Sequence, residues 1–446
     1  MNRAVTALIV AEGLGCPMSP EAPGTSLLVR VAEDACRILG VGSREELRAH
    51  PEAALAEEMD LSGHVVVPGL VNAHCHLDLT AFGPHPRASG TPFPEWLDGV
   101  RRARLAAPDG VAEAVRAGIR ASVAGGVVAV GDIAGSGRPE PLSVLRESPL
   151  AGVSFLELFG LGDRQGGAIE RADREALEVG GETSPQVRRG LSPHAPYSAG
   201  PDLFRHCARL AASRGVPVCT HLAESMEERE WLCAGTGRMR EFFRGLGVVD
   251  AGAEANFGGH ASPVQMALPW LTAAPWVLAH VNDCSDEDIR ALASTTCSVV
   301  YCPRASWYFE HHKEFGPHRY RAMVEAGINV ALGTDSILNL PAGTERLSTL
   351  DEMRFLHRRD AADPGMLLRM ATVQGARALG LKPESFLLRP TRHGAVAGLV
   401  AVPVDATTRE KPALVRVLES DEPPVVLWPA GPGEGCAHAP SRMLAP

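Results

Sequence analysis

The chain has 446 residues, 45% of them apolar, and carries a formal net charge of −10 with a pI near 5.9. This length can bury a large core in about two domains. The net negative charge argues against the clustered basic face that nucleic acid binding requires. No apolar run approaches the roughly 20 residues that span a bilayer. The ten cysteines have no paired spacing, so we expect reduced thiols, a cytoplasmic location and a small-molecule partner, with no nucleic acid or membrane contact and a homodimer left open.

Short β-like segments with proline and glycine turns lie at both ends of the chain. They are Val5 to Val10, Ser26 to Val31 and Arg37 to Val41 near the start, and Ala397 to Val402, Leu414 to Leu418 and Val425 to Trp428 near the end. Because these segments bracket the rest of the chain, we expect residues 1–66 and 388–446 to meet in one small β-sandwich domain.

Between these ends, from residue 67 to 387, apolar strands alternate with helical stretches. The helix candidates are Val111 to Val123, Ala199 to Arg214 and Asp286 to Ala293. Alternating strands and helices favour parallel pairing, and the predicted fold class is therefore α/β, a (β/α)8 TIM barrel with the small β-sandwich attached. The segment exceeds the roughly 250 residues of a typical barrel and should carry loop insertions.

The first barrel strand closes with a pair of histidines. The apolar run from Val65 to Ala73 ends in His74, Cys75 and His76. Residues two apart in a strand point to the same side, so the two imidazoles converge while Cys75 faces the other way. This pair is half of a metal site, although a His-x-His pair alone is weak evidence.

Later apolar strands end in further ligand-type residues. His221 follows the strand from Gly215 to Thr220, His280 follows Trp276 to Ala279, and Asp335 follows Ile328 to Thr334. The carboxyl ends of barrel strands meet at one face. We therefore predict one divalent metal ion, with the ligands His74, His76, His221 and Asp335. No lysine lies between His76 and His221 to form the carbamylated bridge that two-metal barrels usually have, which favours a single ion.

The same residues predict hydrolytic chemistry. A divalent ion lowers the pKa of a bound water from about 16 towards 7. Asp335 could accept the proton of that water, His280 could stabilise the developing charge, and Glu224 could protonate a substrate ring nitrogen, which suits deamination of an amidine-like ring carbon. The alternatives are that Glu224 only caps a helix dipole and that His280 only supports a neighbour through a hydrogen bond.

Four motifs together resemble the amidohydrolase superfamily in its cytosine/guanine deaminase and triazine-hydrolase branch. They are Pro68 to His76, His221 to Ser225, Ala279-His280 and Gly333 to Ser336. The resemblance implies a metal-dependent barrel with an appended β-sandwich and, in this branch, zinc first and iron second. His74, His76, His221 and Asp335 match the family's metal ligands, and Glu224 and His280 match its proton-handling residues.

Loop motifs carry the expectation about the substrate. Ser192 to Ser198, with His194, and the segment Phe93 to Leu97, with Trp96, are similar to aminodeoxyfutalosine, S-adenosylhomocysteine, methylthioadenosine and adenosine deaminases. This similarity implies a 6-aminopurine nucleoside-like substrate. The predicted substrate contacts are His194, Trp96, Glu224, Arg304 and Trp307, and the alternative is that the loop residues among them merely pack their loops.

Three other functions remain open. A triazine-type chlorohydrolase would use the same ligands, but loss of chloride needs no proton donor, so Glu224 counts against it. Another cyclic carbon–nitrogen hydrolase, such as a cyclic amidase, is weakened by the missing bridging lysine. A non-enzymatic scaffold is disfavoured because every expected ligand is present.

Overall fold

A computed structural model of the protein describes residues 4–18, 24–32, 35–177, 186–390 and 394–429. The strands are β1 Val5–Leu14, β2 Ser26–Ala32, β3 Ala35–Gly42, β4 Glu57–Pro68, β5 Leu70–Cys75, β6 Val127–Ala134, β7 Ala151–Leu158, β8 Val187–Pro193, β9 Val218–Leu222, β10 Trp276–His280, β11 Ser298–Tyr301, β12 Asn329–Leu332, β13 Gly398–Pro403 and β14 Val425–Pro429. The α-helices are α1 Arg44–Arg48, α2 Phe93–Ala106, α3 Val111–Ala124, α4 Glu140–Arg146, α5 Gln165–Leu177, α6 Pro201–Arg214, α7 Met226–Ala234, α8 Arg238–Gly245, α9 Ala251–Glu254, α10 Pro263–Leu271, α11 Asp286–Ala293, α12 Pro303–Tyr308, α13 His311–Phe315, α14 Tyr320–Glu325, α15 Thr349–Asp360, α16 Pro364–Met370, α17 Val373–Ala378 and α18 Ala413–Glu419. Within these ranges, no helix is both long and apolar enough to cross a bilayer.

Strands β5 to β12 form one parallel sheet in sequence order, with helices in the connections. The sheet curls until its last strand meets its first. The backbone N–H groups of Thr334 and Asp335 both donate to the carbonyl oxygen of His74 at 3.1 Å, and the N–H of His76 donates to the carbonyl oxygen of Asp335 at 3.3 Å. The predicted eight-stranded barrel is confirmed, and the bonds that close it join the two strands whose ends carry predicted metal ligands.

The two ends of the chain meet in a second sheet, as predicted. Its strand order is β14-β13-β4-β1-β2-β3, and Val66 of β4 lies opposite Ala401 of β13. The apolar run that reads as one strand in the sequence is divided at Gly69, where β4 leaves this sheet and β5 enters the barrel. A Cβ atom at Gly69 would lie only 2.5 Å from the Val128 side chain, so only glycine fits this crossing.

One predicted strand is wrong. Leu414 to Leu418 belongs to helix α18, because Leu414, Val417 and Leu418 are buried at the i, i+3, i+4 spacing of one helix face. The alternating letters of Val415, Arg416 and Val417 gave the segment a misleading strand pattern. The division of the chain at residues 66 and 387 stays a prediction, and the nearest structural changes are the end of β4 at Pro68 and the short 3-10 helix Pro383–Phe386 before β13.

Candidate metal centre and active site

Four strand ends bring their polar side chains together at the carboxyl face of the barrel. His76 Nε2 lies 3.3 Å from His221 Nε2 and 3.4 Å from Asp335 Oδ1, and His74 Nε2 lies 3.8 Å from the same carboxylate oxygen. The His280 ring is 5.3 Å from the His74 ring between centroids. We call these five residues the histidine–carboxylate cluster.

The hydrogen bonds of the cluster leave its nitrogens available. His221 Nδ1 lies 2.9 Å from the carbonyl oxygen of His194, so Nδ1 carries the proton and Nε2 points its lone pair into the cluster. Both ring nitrogens of His74 and Nδ1 of His76 are buried without a hydrogen-bond partner. Buried polar atoms without partners are rare in folded proteins unless an ion or water satisfies them, and this donor set therefore fits a divalent metal.

Electrostatics favour the same interpretation. Burial lowers the pKa of His74 and His76 well below the ordinary histidine value, which keeps their imidazoles neutral as metal ligands require. Burial also raises the pKa of Asp335 to about 7, and its Oδ2 accepts a hydrogen bond from Asn339. A carboxylate in such surroundings lacks a cationic partner, and a metal ion would supply one.

The backbone at the strand ends adopts an uncommon conformation. Ala223, His280, Val281 and Asp335 have φ angles of 54°, 74°, 52° and 56°, in the left-handed region that non-glycine residues rarely occupy. Ala223, His280 and Val281 lie at or immediately after the end of a barrel strand, and Asp335 lies three residues after β12, so the chain turns sharply as it leaves the barrel. Clustered strain of this kind is typical of sites where geometry matters more than local stability.

Glu224 follows β9 by two residues and faces the cluster. Its carboxyl Oε1 lies 3.5 Å from His280 Nε2, and the side chain is almost wholly buried. Burial, reinforced by the nearby charge of Asp335, raises the pKa of Glu224 well above its ordinary value and so favours the protonated form of this carboxyl group. The backbone N–H of Glu224 donates to Glu228 at 2.6 Å, which fixes the turn that presents the side chain.

A second polar group beside the cluster was missed in the sequence. Arg104 of α2 makes two hydrogen bonds to Asp78, at 2.8 and 3.1 Å, and its Nη1 lies 4.0 Å from Glu157. Glu157 in turn lies 3.8 Å from His194 Nε2. We call Asp78, Arg104 and Glu157 the arginine group. Glu157 stands near the carboxyl end of the apolar strand β7, so the signal that identified His221 could also have identified it.

Two neighbouring cavities share part of their lining, and the first of them borders the cluster. The first, of about 50 Å³, is lined by Glu224, Tyr197, an aromatic cover of Phe93 and Trp96, and every cluster residue except His74. The second, of about 330 Å³, is mostly apolar; Phe159, Phe242, Phe243 and Leu246 line it, and we call it the apolar annex. Leu97, Val100, Arg104 and His194 line both cavities, so the annex extends the first cavity on the His194 side.

The predicted substrate contacts divide into two sets. Glu224, His194 and Trp96 line the cavity beside the cluster. Arg304 instead binds the buried carboxylate of Glu352 at 2.6 Å and lines a separate cavity of about 880 Å³. Trp307 is 47% exposed and stacks on His312 at 4.1 Å between ring centroids. The structure thus does not bring Arg304 or Trp307 together with the cluster.

An eight-stranded parallel barrel with buried histidines and a carboxylate at the carboxyl ends of its strands defines the class of metal-dependent barrel hydrolases. Within that class, the model of the amidohydrolase family matches residues 65–391, and the chain belongs to this family. The family predicted from the four sequence motifs is confirmed.

Known proteins that resemble this chain include two groups of deaminases. The aminodeoxyfutalosine deaminase of Deinococcus radiodurans is 32% identical over 390 residues, covering 85% of this chain and 86% of that protein. The 5-methylthioadenosine/S-adenosylhomocysteine deaminase of Natronomonas pharaonis is 28% identical over 393 residues, covering 85% and 82%. The crystal structure of Helicobacter pylori aminofutalosine deaminase in complex with methylthio-coformycin matches with a TM-score of 0.75 at 22% identity, covers 94% of this chain and 97% of that one, and shares the fold.

Proposed function

We propose that this protein is a metal-dependent aminohydrolase that deaminates a 6-aminopurine nucleoside-like compound, such as aminodeoxyfutalosine or an adenosine derivative. The observation that carries the proposal is the buried Glu224 carboxyl, whose pKa burial raises, 3.5 Å from His280 and beside a cluster in which both ring nitrogens of His74 and Nδ1 of His76 have no hydrogen-bond partner. Hydrolysis of a carbon–nitrogen bond in a cyclic amidine needs both an activated water and a proton donor, and this site offers residues for each task. The named activities of the two relatives support the same reaction.

The proposed metal ligands are His74, His76, His221 and Asp335, and zinc is the proposed ion. Three neutral imidazoles and one carboxylate are ligands that suit zinc, with iron as the alternative. When bound, such an ion lowers the pKa of a water molecule and so supplies a nucleophile near neutral pH. The absence of a lysine between His76 and His221 supports one ion rather than two.

The side chains then divide the proton transfers among themselves. Glu224 donates its carboxyl proton to the ring nitrogen next to the amino-bearing carbon, which makes that carbon more electrophilic. Asp335 takes a proton from the attacking water, and His280 Nε2 stabilises the oxygen on which charge develops. Asp335 then gives its proton to the amino group, the carbon–nitrogen bond breaks to release ammonia, and the proton of the added hydroxyl passes to Glu224 as the carbonyl forms at the ring carbon.

The apolar annex supports a substrate with a substituent remote from the reacting amino group. The space of about 50 Å³ beside the cluster is well below the roughly 300 Å³ of a small ligand pocket, and the annex of about 330 Å³ provides the missing volume. With the amino-bearing ring beside Glu224, the sugar lies near His194 and the arginine group. The apolar annex then receives whatever the sugar carries.

We further propose a cytoplasmic enzyme. The nine cysteines among the described residues are all free thiols, which is usual in a reducing compartment. A homodimer stays a prediction, and light scattering of the purified protein measures it directly.

The test is ammonia release from a panel of 6-aminopurine nucleosides by the zinc-loaded protein. Glu224→Gln keeps the shape of the side chain but removes the acid, and its kcat should fall by roughly 10²- to 10⁴-fold while the metal content stays unchanged. Glu230→Gln is the matched control, because Glu230 is an exposed carboxylate on the following helix. Metal binding without ammonia release from any member of the panel, but with chloride release from a chlorotriazine, would refute the proposal in favour of the chlorohydrolase.

A further inference from the structure

His280 depends on a turn that its own sequence does not favour. It ends β10 with a φ of 74°, and the β-branched Val281 follows with a φ of 52°. Two successive non-glycine residues in the left-handed region need support from the surrounding structure. On one side, the N–H of Val281 donates to the carbonyl oxygen of Leu222 at 3.0 Å, which ties the turn to β9.

The other support comes from a histidine in the loop before α14. The Nε2–H of His318 donates to the carbonyl oxygen of His280, with 2.9 Å between the two atoms. A carbonyl oxygen can only accept, so His318 must carry its proton on Nε2. His318 lies outside every motif that predicts the active site, and its ring does not line the cavity beside the cluster.

The His318 ring is itself held in place. It stacks on the ring of Tyr301, with 3.7 Å between centroids and 12° between planes. The hydroxyl of Tyr301 accepts a hydrogen bond from Arg359 at 3.2 Å, and Arg359 pairs with Asp360. Three packed side chains thus connect α15 to the carbonyl of His280, and the imidazole has little freedom to turn away from that bond.

We propose that His318 is the positioning residue for His280. Its hydrogen bond holds the left-handed turn, and the turn aims His280 Nε2 at Glu224 Oε1, 3.5 Å away. This inference rests on the proposed function, in which His280 stabilises charge in the transition state. His318 touches neither substrate nor metal, and it acts only through the main chain of His280.

The experiment compares two variants at this position. His318→Leu has similar bulk and no donor, whereas His318→Gln offers an amide N–H at about the same distance from the backbone. We expect His318→Leu to lower kcat by about 10- to 100-fold with KM and zinc content close to those of the unaltered protein, because a small displacement of a reacting group has this effect. His318→Gln should recover most of the lost kcat. His312→Leu is the matched control, since His312 stacks on Trp307 and has no role in the site.

Crystal structures of both variants distinguish a failure of the positioning role of His318 from a failure of the proposed function. In His318→Leu, the φ of His280 should leave the left-handed region or its ring should move away from Glu224, whichever substrate the protein uses. The positioning role is overturned if His280 does not move and kcat is unchanged in His318→Leu. It is also overturned if both variants lose the same amount of kcat and this loss parallels their loss of thermal stability. If no aminopurine is deaminated but His280 still moves, the proposed function fails and the positioning role stands.

Discussion

Two polar groups lie side by side at the carboxyl face of this barrel, and they satisfy their charges in opposite ways. In the arginine group, the guanidinium of Arg104 binds Asp78 through two hydrogen bonds and approaches Glu157. In the histidine–carboxylate cluster, both ring nitrogens of His74 lack a hydrogen-bond partner, and no Lys or Arg side chain pairs with Asp335 within the described chain.

This difference distinguishes a site that is complete from one that needs a ligand. A buried ion pair is stable without additions, although removing one partner destabilises it strongly. The cluster holds imidazoles and a carboxylate at 3.3 to 3.8 Å from one another, and three of its ring nitrogens have no hydrogen-bond partner, which is a donor set that a bound cation would satisfy. The following predictions test that contrast, from the largest expected effect to the smallest.

Removing a ligand from the cluster should abolish both metal binding and activity. For His74→Ala we expect zinc content to fall from about one ion per chain to background, measured by elemental analysis, and ammonia release to disappear with it, because the remaining donors form an incomplete site. His64→Ala is the control, since His64 lies in β4 of the end sheet. Normal zinc content in His74→Ala would contradict the assignment.

Breaking the arginine group should act on stability instead. Arg104→Met leaves Asp78 buried without its partner, and we expect the free energy of unfolding, measured by denaturant titration, to fall by about 3–5 kcal/mol while the metal stays bound. Arg101→Met on the same helix removes an exposed pair and should change it by less than about 1 kcal/mol. The double variant Asp78→Asn/Arg104→Met should regain part of the loss.

Asp132 of β6 accepts a hydrogen bond from the backbone N–H of Leu77 at 3.0 Å, and it tests the contrast through pH. Burial raises its pKa to about 8, and Oδ2 has no partner. The unfolded chain releases this proton near pH 4, so the stability that the protonated group provides is complete below that pH and is lost as the pH rises towards 8. Relative to Asp132→Asn, the unaltered protein should lose up to about 1.4 kcal/mol per pH unit between pH 4 and 8. The control is Asp109→Asn at an exposed position, and parallel pH profiles for all three proteins would exclude this role.

The smallest expected effect concerns the apolar annex, which in the proposed function receives the substituent on the sugar of the substrate. Phe159 is 46% exposed and lies 4.9 Å from the His194 ring. Phe159→Ala should lower kcat/KM by about 10-fold for a nucleoside with a bulky apolar substituent on the sugar and hardly change it for adenosine. Leu177→Ala removes an exposed side chain of α5 and serves as the control. An equal loss of kcat/KM for both substrates would mean that the annex does not contact the substituent.

The barrel and much of the candidate site were predictable because strand-forming residues and reactive residues are adjacent in the sequence. His221, His280 and Asp335 each follow an apolar run, and parallel strands bring such ends to one face whatever the details of packing. The same rule, applied consistently, would also have nominated Asp132 and Glu157. Leu414 to Leu418 shows the limit of this approach, because the apolar pattern of only five residues can match both the period of a strand and that of a helix.

Other features had no local signal. His318 is 38 residues from His280, and nothing in its neighbours indicates that its ring reaches that carbonyl. The apolar annex combines residues of α2, α8 and the loop after β7, which the fold alone assembles. Arg304 and Trp307 were predicted as substrate contacts, but Arg304 lines the separate cavity and Trp307 lies at the surface.

By itself, the sequence determined which side chains lie at the ends of the barrel strands. The apolar run of each strand and the residue that ends it are adjacent in the chain, so both can be identified locally. Only the tertiary structure decided which of these side chains remain without partners. Pairing is a property of distance between segments far apart in the chain, so Arg104 could neutralise Asp78 and leave His74 and Asp335 for a cation only once α2 had packed across the barrel.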